Sequence, residues 1–200
     1  PGPGTFDAPR KWLVDPIDGT KDYIRGEDGY SVMIGLLVGG RPALGVVYQP
    51  VVDRIFYATD AGAFVTAGGE TKPLHVSNVS KASEIRLVAS KSHRSPQLDQ
   101  VKQELGIDNE LNVGSVGVKL CLIAMGVRDL YVNPAAKTKA WDTCGPEAIL
   151  VRAGGRLSDV HGGAIEYTGE LAHHRGLVAS NGHVHDEVVA KLSPLFPQLR

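Results

Sequence analysis

The residues best suited to chemistry in this chain are two aspartates three positions apart, in Asp15-Pro16-Ile17-Asp18-Gly19-Thr20. Two carboxylates so spaced at the end of a strand converge on one point if the backbone turns sharply. Pro16 fixes one φ, and Gly19 admits a φ closed to other residues, so the segment suits such a turn. Hard cations such as Mg²⁺ take carboxylate, carbonyl and water oxygens and keep positions open for substrate phosphate. The Ile17 carbonyl, between the aspartates, is a natural additional ligand. The Thr20 hydroxyl stands where it could orient an attacking water. The competing reading is a plain polar turn, because Asp-Pro and Asp-Gly are ordinary turn formers.

Two further segments place polar groups at helix starts. In Trp141-Asp142-Thr143 the carboxylate of Asp142 opens a helix, where it can hold a cation or simply cap the backbone. In Gly114-Ser115-Val116-Gly117-Val118-Lys119 small residues allow close approach to a ligand, Ser115 offers a hydroxyl and Lys119 a point charge for phosphate. The plain alternative is a helix start with a solvated lysine. His93, in Ser90-Lys91-Ser92-His93-Arg94, follows a strand and could reach a ligand or serve structure alone. His173, His174, His183 and His185 have no zinc-type spacing and read as surface loop residues.

Certain elements must position these groups. Trp12–Val14 is a short apolar strand leading into the first aspartate. Ser31–Val38 and Pro42–Gln49 form a hairpin about Gly39-Gly40, and Arg54–Ala58 and Ala63–Thr66 continue the pattern. The first 82 residues therefore read as an antiparallel sheet. From about Ser83 the pattern alternates. Strands are expected at Leu87–Ser90, Leu130–Val132, Arg156–Ser158 and Leu177–Ala179. Helices are expected from Ser95-Pro96 to Leu105, over Val116–Met125, from an N-cap at Asp142 to Ala153, and over Val184–Leu192. The fold class is α/β: an antiparallel-sheet part over 1–82 carrying the first acidic motif, and a smaller α/β layer over 83–200 carrying the second, with a cleft between them.

Bulk properties narrow the function. A formal net charge of −1 argues against a nucleic-acid surface but leaves room for a local basic patch that binds a small phosphorylated metabolite. Cys121 and Cys144 fall in predicted helices with neither disulfide nor metal spacing, which suggests a reducing, cytoplasmic setting. No apolar run is long enough to span a bilayer, so no membrane partner is expected.

Taken together, Trp12-Leu13-Val14-Asp15-Pro16-Ile17-Asp18-Gly19-Thr20-Lys21-Asp22 and Trp141-Asp142-Thr143-Cys144-Gly145-Pro146-Glu147 resemble the paired signature motifs of the inositol monophosphatase superfamily of lithium-sensitive, Mg²⁺-dependent phosphatases. The likeness continues through Gly45-Val46-Val47-Tyr48-Gln49-Pro50, the Gly114–Lys119 segment and Gly154-Gly155-Arg156-Leu157-Ser158-Asp159. Asp18-Gly19-Thr20-Lys21-Asp22-Tyr23, Ser90-Lys91-Ser92-His93 and Lys137-Thr138-Lys139-Ala140-Trp141-Asp142-Thr143-Cys144 look most like the 3′(2′),5′-bisphosphate nucleotidases within it.

The resemblance implies a layered sugar-phosphatase-like fold and two or three Mg²⁺ ions held by Asp15, Asp18, Asp142 and the Ile17 carbonyl. Asp15, Asp18, Thr20 and Asp142 would then be catalytic, with Thr20 a partner in water activation. Gly19, Thr20, Ser90, His93, Ser115, Lys119 and Asp142 would face the substrate. It implies hydrolysis of the 3′-phosphate of adenosine 3′,5′-bisphosphate or its sulfated analogue without a covalent enzyme intermediate, inhibition by Li⁺ and Ca²⁺, and compatibility with a homodimer. Two alternatives stay open: an inositol phosphate phosphatase, and a non-catalytic nucleotide- or phosphate-binding protein. The family also supplies a metal-ligating glutamate upstream, preceded by helices. Fourteen residues precede Asp15 here and none is glutamate, so the chain is expected to be N-terminally truncated relative to the family.

Overall fold

Every second residue of Ser31–Val38 is buried, namely Ser31, Met33, Gly35 and Leu37, which is the period-two pattern of a strand with one face on a core. A computed structural model describes residues 8–91, 96–135 and 138–199 and places this strand second in a six-stranded antiparallel meander. The meander runs β1 (Arg10–Asp18), β2 (Ser31–Val38), β3 (Arg41–Gln49), β4 (Arg54–Thr59), β5 (Gly62–Ala67) and β6 (Glu70–Pro73), each strand paired with the next. A short helix, α1 (Thr20–Ile24), interrupts the path from β1 to β2.

The second sheet has the order β10-β11-β9-β7-β8. Its strands are β7 (Arg86–Ser90), β8 (Asn109–Val113), β9 (Leu130–Asn133), β10 (Arg156–Ser158) and β11 (Leu177–Ser180). β7 runs parallel to β8 and β9, whereas β11 is antiparallel to both β9 and β10. The helices are α2 (Pro96–Leu105), α3 (Val116–Ala124), α4 (Ala140–Arg152) and α5 (His185–Leu192).

Burial sorts these elements into layers. Met33, Val47 and Phe56 of the first sheet share one hydrophobic cluster with Leu120 of α3, Ile149 of α4, and Tyr131 and Leu177 of the second sheet. α3 and α4 therefore lie between the sheets. Leu87, Leu130 and Val178 face the other way, onto Val101 of α2, Val188 of α5 and Phe196. The change of sheet falls between Pro73 and Arg86, and the larger cluster packs across it. The outer face of the first sheet is apolar and partly open, with Trp12 60% and Val14 52% exposed.

Five elements differ from the sequence expectation. β1 extends through the aspartates instead of stopping at Val14, and α1 follows it directly. α4 begins at Ala140, two residues ahead of Asp142. β6 is exposed along its whole length, so no apolar alternation announces it. β8 has the polar sequence Asn-Glu-Leu-Asn-Val and is held by parallel pairing to β7 at the sheet edge, a tertiary interaction that periodicity does not record.

What seats α4 on the first sheet is the absence of three side chains. A Cβ on Gly145 would lie 2.6 Å from the Ile34 carbonyl oxygen, and one on Gly35 would lie 2.5 Å from Cys144 Sγ. A Cβ on Gly45 would overlap the Gly145 carbonyl. The obstructing atoms at Gly45 and Gly145 are backbone, which cannot rotate aside. Gly145→Ala is therefore expected to destabilise the fold by about 1–3 kcal/mol, the usual cost of overpacking, as a lowered urea midpoint with an unchanged m-value. An unchanged midpoint would show that α4 does not depend on this contact.

Candidate metal centre

In a regular strand residues i and i+3 point to opposite faces, so an unbroken β1 would separate Asp15 from Asp18. The pairing of β1 with β2 is not regular there. Asp15 faces Met33 and Asp18 faces Ser31, with a register shift between them. Pro16, which has no N–H to give the ladder, lies inside the shift. The Ile17 N–H donates to Asp15 Oδ1 at 3.0 Å. Thr20 Oγ1 donates to the Ile17 carbonyl at 3.0 Å. Gly19 sits between them at φ 85, and a Cβ there would lie 2.8 Å from the Gly29 carbonyl oxygen. The turn expected from sequence is thus a strand irregularity followed at once by a left-handed glycine and the first turn of α1.

Asp142 arrives from the other layer. It is the third residue of α4, not its N-cap; Lys139 takes the N-cap position. Its Oδ2 accepts the Lys139 N–H at 2.7 Å, reaching back over the helix start. One carboxylate oxygen each from Asp15, Asp18 and Asp142 come within 4.8 Å of one another. Asp18 is anchored from a third direction. Its Oδ2 accepts Ser115 Oγ at 2.6 Å and the Gly117 N–H at 3.0 Å, both from the start of α3.

This crowding has an electrostatic cost. Burial, then the charges of Asp18 and Asp15, push the Asp142 carboxyl up to about 7, against the pull of the Lys139 N–H. Burial and then Asp18 raise Asp15 as well. A cation among the three would relieve that repulsion. The convergent groups are three carboxylates, without histidine or cysteine among them; such an oxygen set fits a hard ion of the Mg²⁺ or Ca²⁺ type better than zinc or copper.

The remaining expected residues are distributed differently. Ser115 and Lys119, expected to face the substrate, are both fully buried. Ser115 caps α3, accepts the Val118 N–H at 3.0 Å and gives its own hydrogen to Asp18. Lys119 Nζ donates to the Gly114 and Val113 carbonyls at 2.7 and 3.1 Å and lies 5.1 Å from the Tyr131 ring centroid. Burial lowers its pKa to about 8, while the charges of Asp18, Asp22 and Asp142 oppose the shift. One turn of helix places Lys119 near Ser115 as expected, but behind the carboxylates. Ser90 ends β7, half-buried, on the side of the Tyr131 hydroxyl. His93, like Lys137, lies outside the described residues.

Two histidines read as surface residues are buried. His173 Nε2 meets Thr143 Oγ1 at 2.8 Å, and burial lowers its pKa to about 4. His185 bridges Ser180 and Ser158 beneath α5. Each is taken inside with a hydroxyl partner distant in sequence, Thr143 for His173 and Ser158 for His185, which loop composition cannot show. Cys121 and Cys144 are free and buried. Sequence reading missed Ser31, whose hydroxyl meets Ser115 Oγ at 2.8 Å, and Asp22, 1% exposed with Oδ1 unpartnered. The only sequence signal for Ser31 would have been its pairing opposite Asp18, hidden by α1 between them.

The Asp142 shift carries a sign that can be checked. The folded state holds this proton more tightly than an unfolded chain with pKa near 3.8. The associated stability is therefore complete below about 4 and lost as pH rises toward about 7. Without divalent ions, the melting temperature should fall across that window. Mg²⁺ should raise it more at pH 7.5 than at pH 5. Asp142→Asn should flatten the metal-free profile and abolish the Mg²⁺-induced gain. Thermal melts in EDTA and in Mg²⁺ at several pH values measure all three, and an equal Mg²⁺ gain in the variant would exclude Asp142 as a ligand.

Comparison with known proteins gives the arrangement its relatives. The model of the inositol monophosphatase family matches residues 4–195. The 3′(2′),5′-bisphosphate nucleotidase CysQ of Salmonella typhimurium is 38% identical over 159 residues, which cover 80% of this chain and 63% of that protein. The chain thus spans under two thirds of that relative's length. The histidinol-phosphatase of Mycobacterium tuberculosis is 33% identical over 197 residues, covering 96% of this chain and 72% of its own. Among solved structures, the inositol monophosphatase from Anabaena superposes with a TM-score of 0.79 at 27% identity, over 96% of this chain and 74% of the other. With both acidic motifs inside the matched region and the layered fold in common, the chain belongs to the inositol monophosphatase family.

Proposed function

We propose that this chain carries the metal centre of a Mg²⁺-dependent phosphomonoesterase that removes the 3′-phosphate of adenosine 3′,5′-bisphosphate, or of its sulfated analogue, leaving AMP and phosphate in the first case. The observation that carries the reading is the convergence of Asp15, Asp18 and Asp142 from two layers of the fold onto one point. The likeness to CysQ supports the nucleotide as substrate.

Asp15, Asp18, Asp142 and the Ile17 carbonyl would hold Mg²⁺. Bound there, the ions would neutralise phosphate charge and acidify a water for attack. Thr20 gives its hydrogen to the Ile17 carbonyl, so its oxygen lone pairs are free to accept from that water and orient it. α3 and α4 both begin at the carboxylates, and the positive ends of their dipoles favour an anionic group beside them. Gly19 and Ser90 are the described residues assigned to the rim that meets the rest of the substrate. The two buried thiols suit a reducing, cytoplasmic setting.

An inositol phosphate is the second reading, favoured by the Anabaena structure. A phosphate-release panel separates the two. It would contain adenosine 3′,5′-bisphosphate, its sulfated analogue, inositol monophosphates and histidinol phosphate, each with Mg²⁺ and with EDTA. The expected result is Mg²⁺-dependent release from the nucleotides, inhibited by Li⁺ and Ca²⁺. Asp142→Asn should lower turnover by two or more orders of magnitude, about 3 kcal/mol or more of transition-state stabilisation. Release from inositol monophosphate with none from the nucleotides would establish the second reading. Release indifferent to EDTA would overturn both.

A further inference from the structure

Around Asp18 the hydrogen-bond count leaves one arrangement of protons. Ser115 Oγ has three neighbours: Asp18 Oδ2 at 2.6 Å, the Val118 N–H at 3.0 Å and Ser31 Oγ at 2.8 Å. A serine hydroxyl has one hydrogen and two lone pairs. The carboxylate can only accept, so it takes the hydrogen of Ser115. The Val118 N–H can only donate, so it fills one lone pair of Ser115. The remaining lone pair faces Ser31, which must therefore be the donor in the Ser31–Ser115 bond. Ser31 and Ser115 are both 0% exposed, so water does not compete for these bonds.

We infer that Ser31 is a positioning residue for the metal centre, acting through Ser115 on Asp18. The inference rests on the metal-site reading above. The polarity runs one way, from the Ser31 hydroxyl to the Ser115 hydroxyl to Asp18 Oδ2. Aligned hydroxyl chains strengthen each member bond, more so away from water. With the Gly117 N–H also on Oδ2, that oxygen is committed to protein donors and Oδ1 is left for the cation. Asp18 is thereby held in one rotation by groups from β2 and α3, although it stands at the end of β1. Partners bonded directly to a ligand, as Ser115 is to Asp18, commonly account for about ten- to a hundredfold in metal affinity; Ser31 stands one bond further back, so its share is smaller.

Ser31→Thr and Ser31→Val test this, because threonine and valine have nearly the same shape and differ in the hydroxyl. Any steric penalty at β2 is common to both. Mg²⁺ titration by calorimetry should show Ser31→Thr binding several-fold more tightly than Ser31→Val, less than the effect of a direct partner of a ligand because Ser31 acts through Ser115. Amide exchange at Gly117, whose N–H bonds the same oxygen, should be faster in Ser31→Val than in Ser31→Thr. If neither branched residue folds, Ser31→Ala against the unmodified protein gives the same comparison, again with several-fold weaker Mg²⁺ binding expected. Equal Mg²⁺ affinity with and without the hydroxyl would overturn the role of Ser31 and leave the metal site standing. Absence of saturable Mg²⁺ binding by the unmodified protein would overturn the metal-site reading and this inference with it.

Discussion

The near-contact of α4 with β2 and β3 governs the rest of this structure. Helix and sheet meet at Gly35, Gly45 and Gly145, where a single added carbon would collide with the opposing chain. Helices usually stand off a sheet by the thickness of their side chains; here one turn of α4 is held at backbone distance. That turn follows Asp142 directly. The approach therefore sets how far the second aspartate stands from the first two, and a displacement of an ångström at the contact would carry through a rigid helix to the carboxylates. Cys144 fits the same constraint, its sulfur occupying the space left over Gly35.

Given that distance, the three carboxylates are held together against their own repulsion. Each is pinned by donors that are fixed elsewhere: Asp15 by the Ile17 N–H, Asp18 by Ser115 and Gly117, and Asp142 by the Lys139 N–H. None of these donors carries a full charge. They orient the oxygens and supply partial positive charge without neutralising the cluster, so the three carboxylates could hold a cation. Burial first, and then the charges of Asp18 and Asp15, raise the Asp142 carboxyl. Clustered carboxylate oxygens are the ligands that hard divalent ions take.

Behind the carboxylates lies a second polar layer. Lys119 is buried on the Gly114 and Val113 carbonyls beside the Tyr131 ring, and Asp22 is buried where Gly29 and Gly114 leave room for it. Lys119 keeps positive charge near the acidic cluster without reaching into it, so the β8–α3 loop that carries Ser115 is braced from within. This layer also accounts for the glycines flanking Ser115. Gly114 lets the Asp22 carboxylate close on the loop, and a Cβ on Gly117 would press on Met33.

Much of this was legible in the residues themselves. The paired motifs at Asp15–Thr20 and Trp141–Glu147 and their resemblance pointed to the three aspartates that converge, and strand periodicity and helix punctuation located most elements within a residue or two. These signals are local, or repeat a pattern shared by related chains, so they survive in a linear reading. Tertiary structure alone decided that β1 runs on through a register shift to bring Asp15 and Asp18 to one side, that polar β8 is a strand, and that His173 and His185 are interior. It also placed Ser115 and Lys119 in the interior, with Ser115 bonded to Asp18, and set the Ser31 hydroxyl against Ser115. A side chain's role depends on which way its element faces and on what packs over it. Composition supplies a hydroxyl or an ammonium; only the packing of β2, α3 and α4 determines whether that group meets solvent, a ligand or the back of a carboxylate.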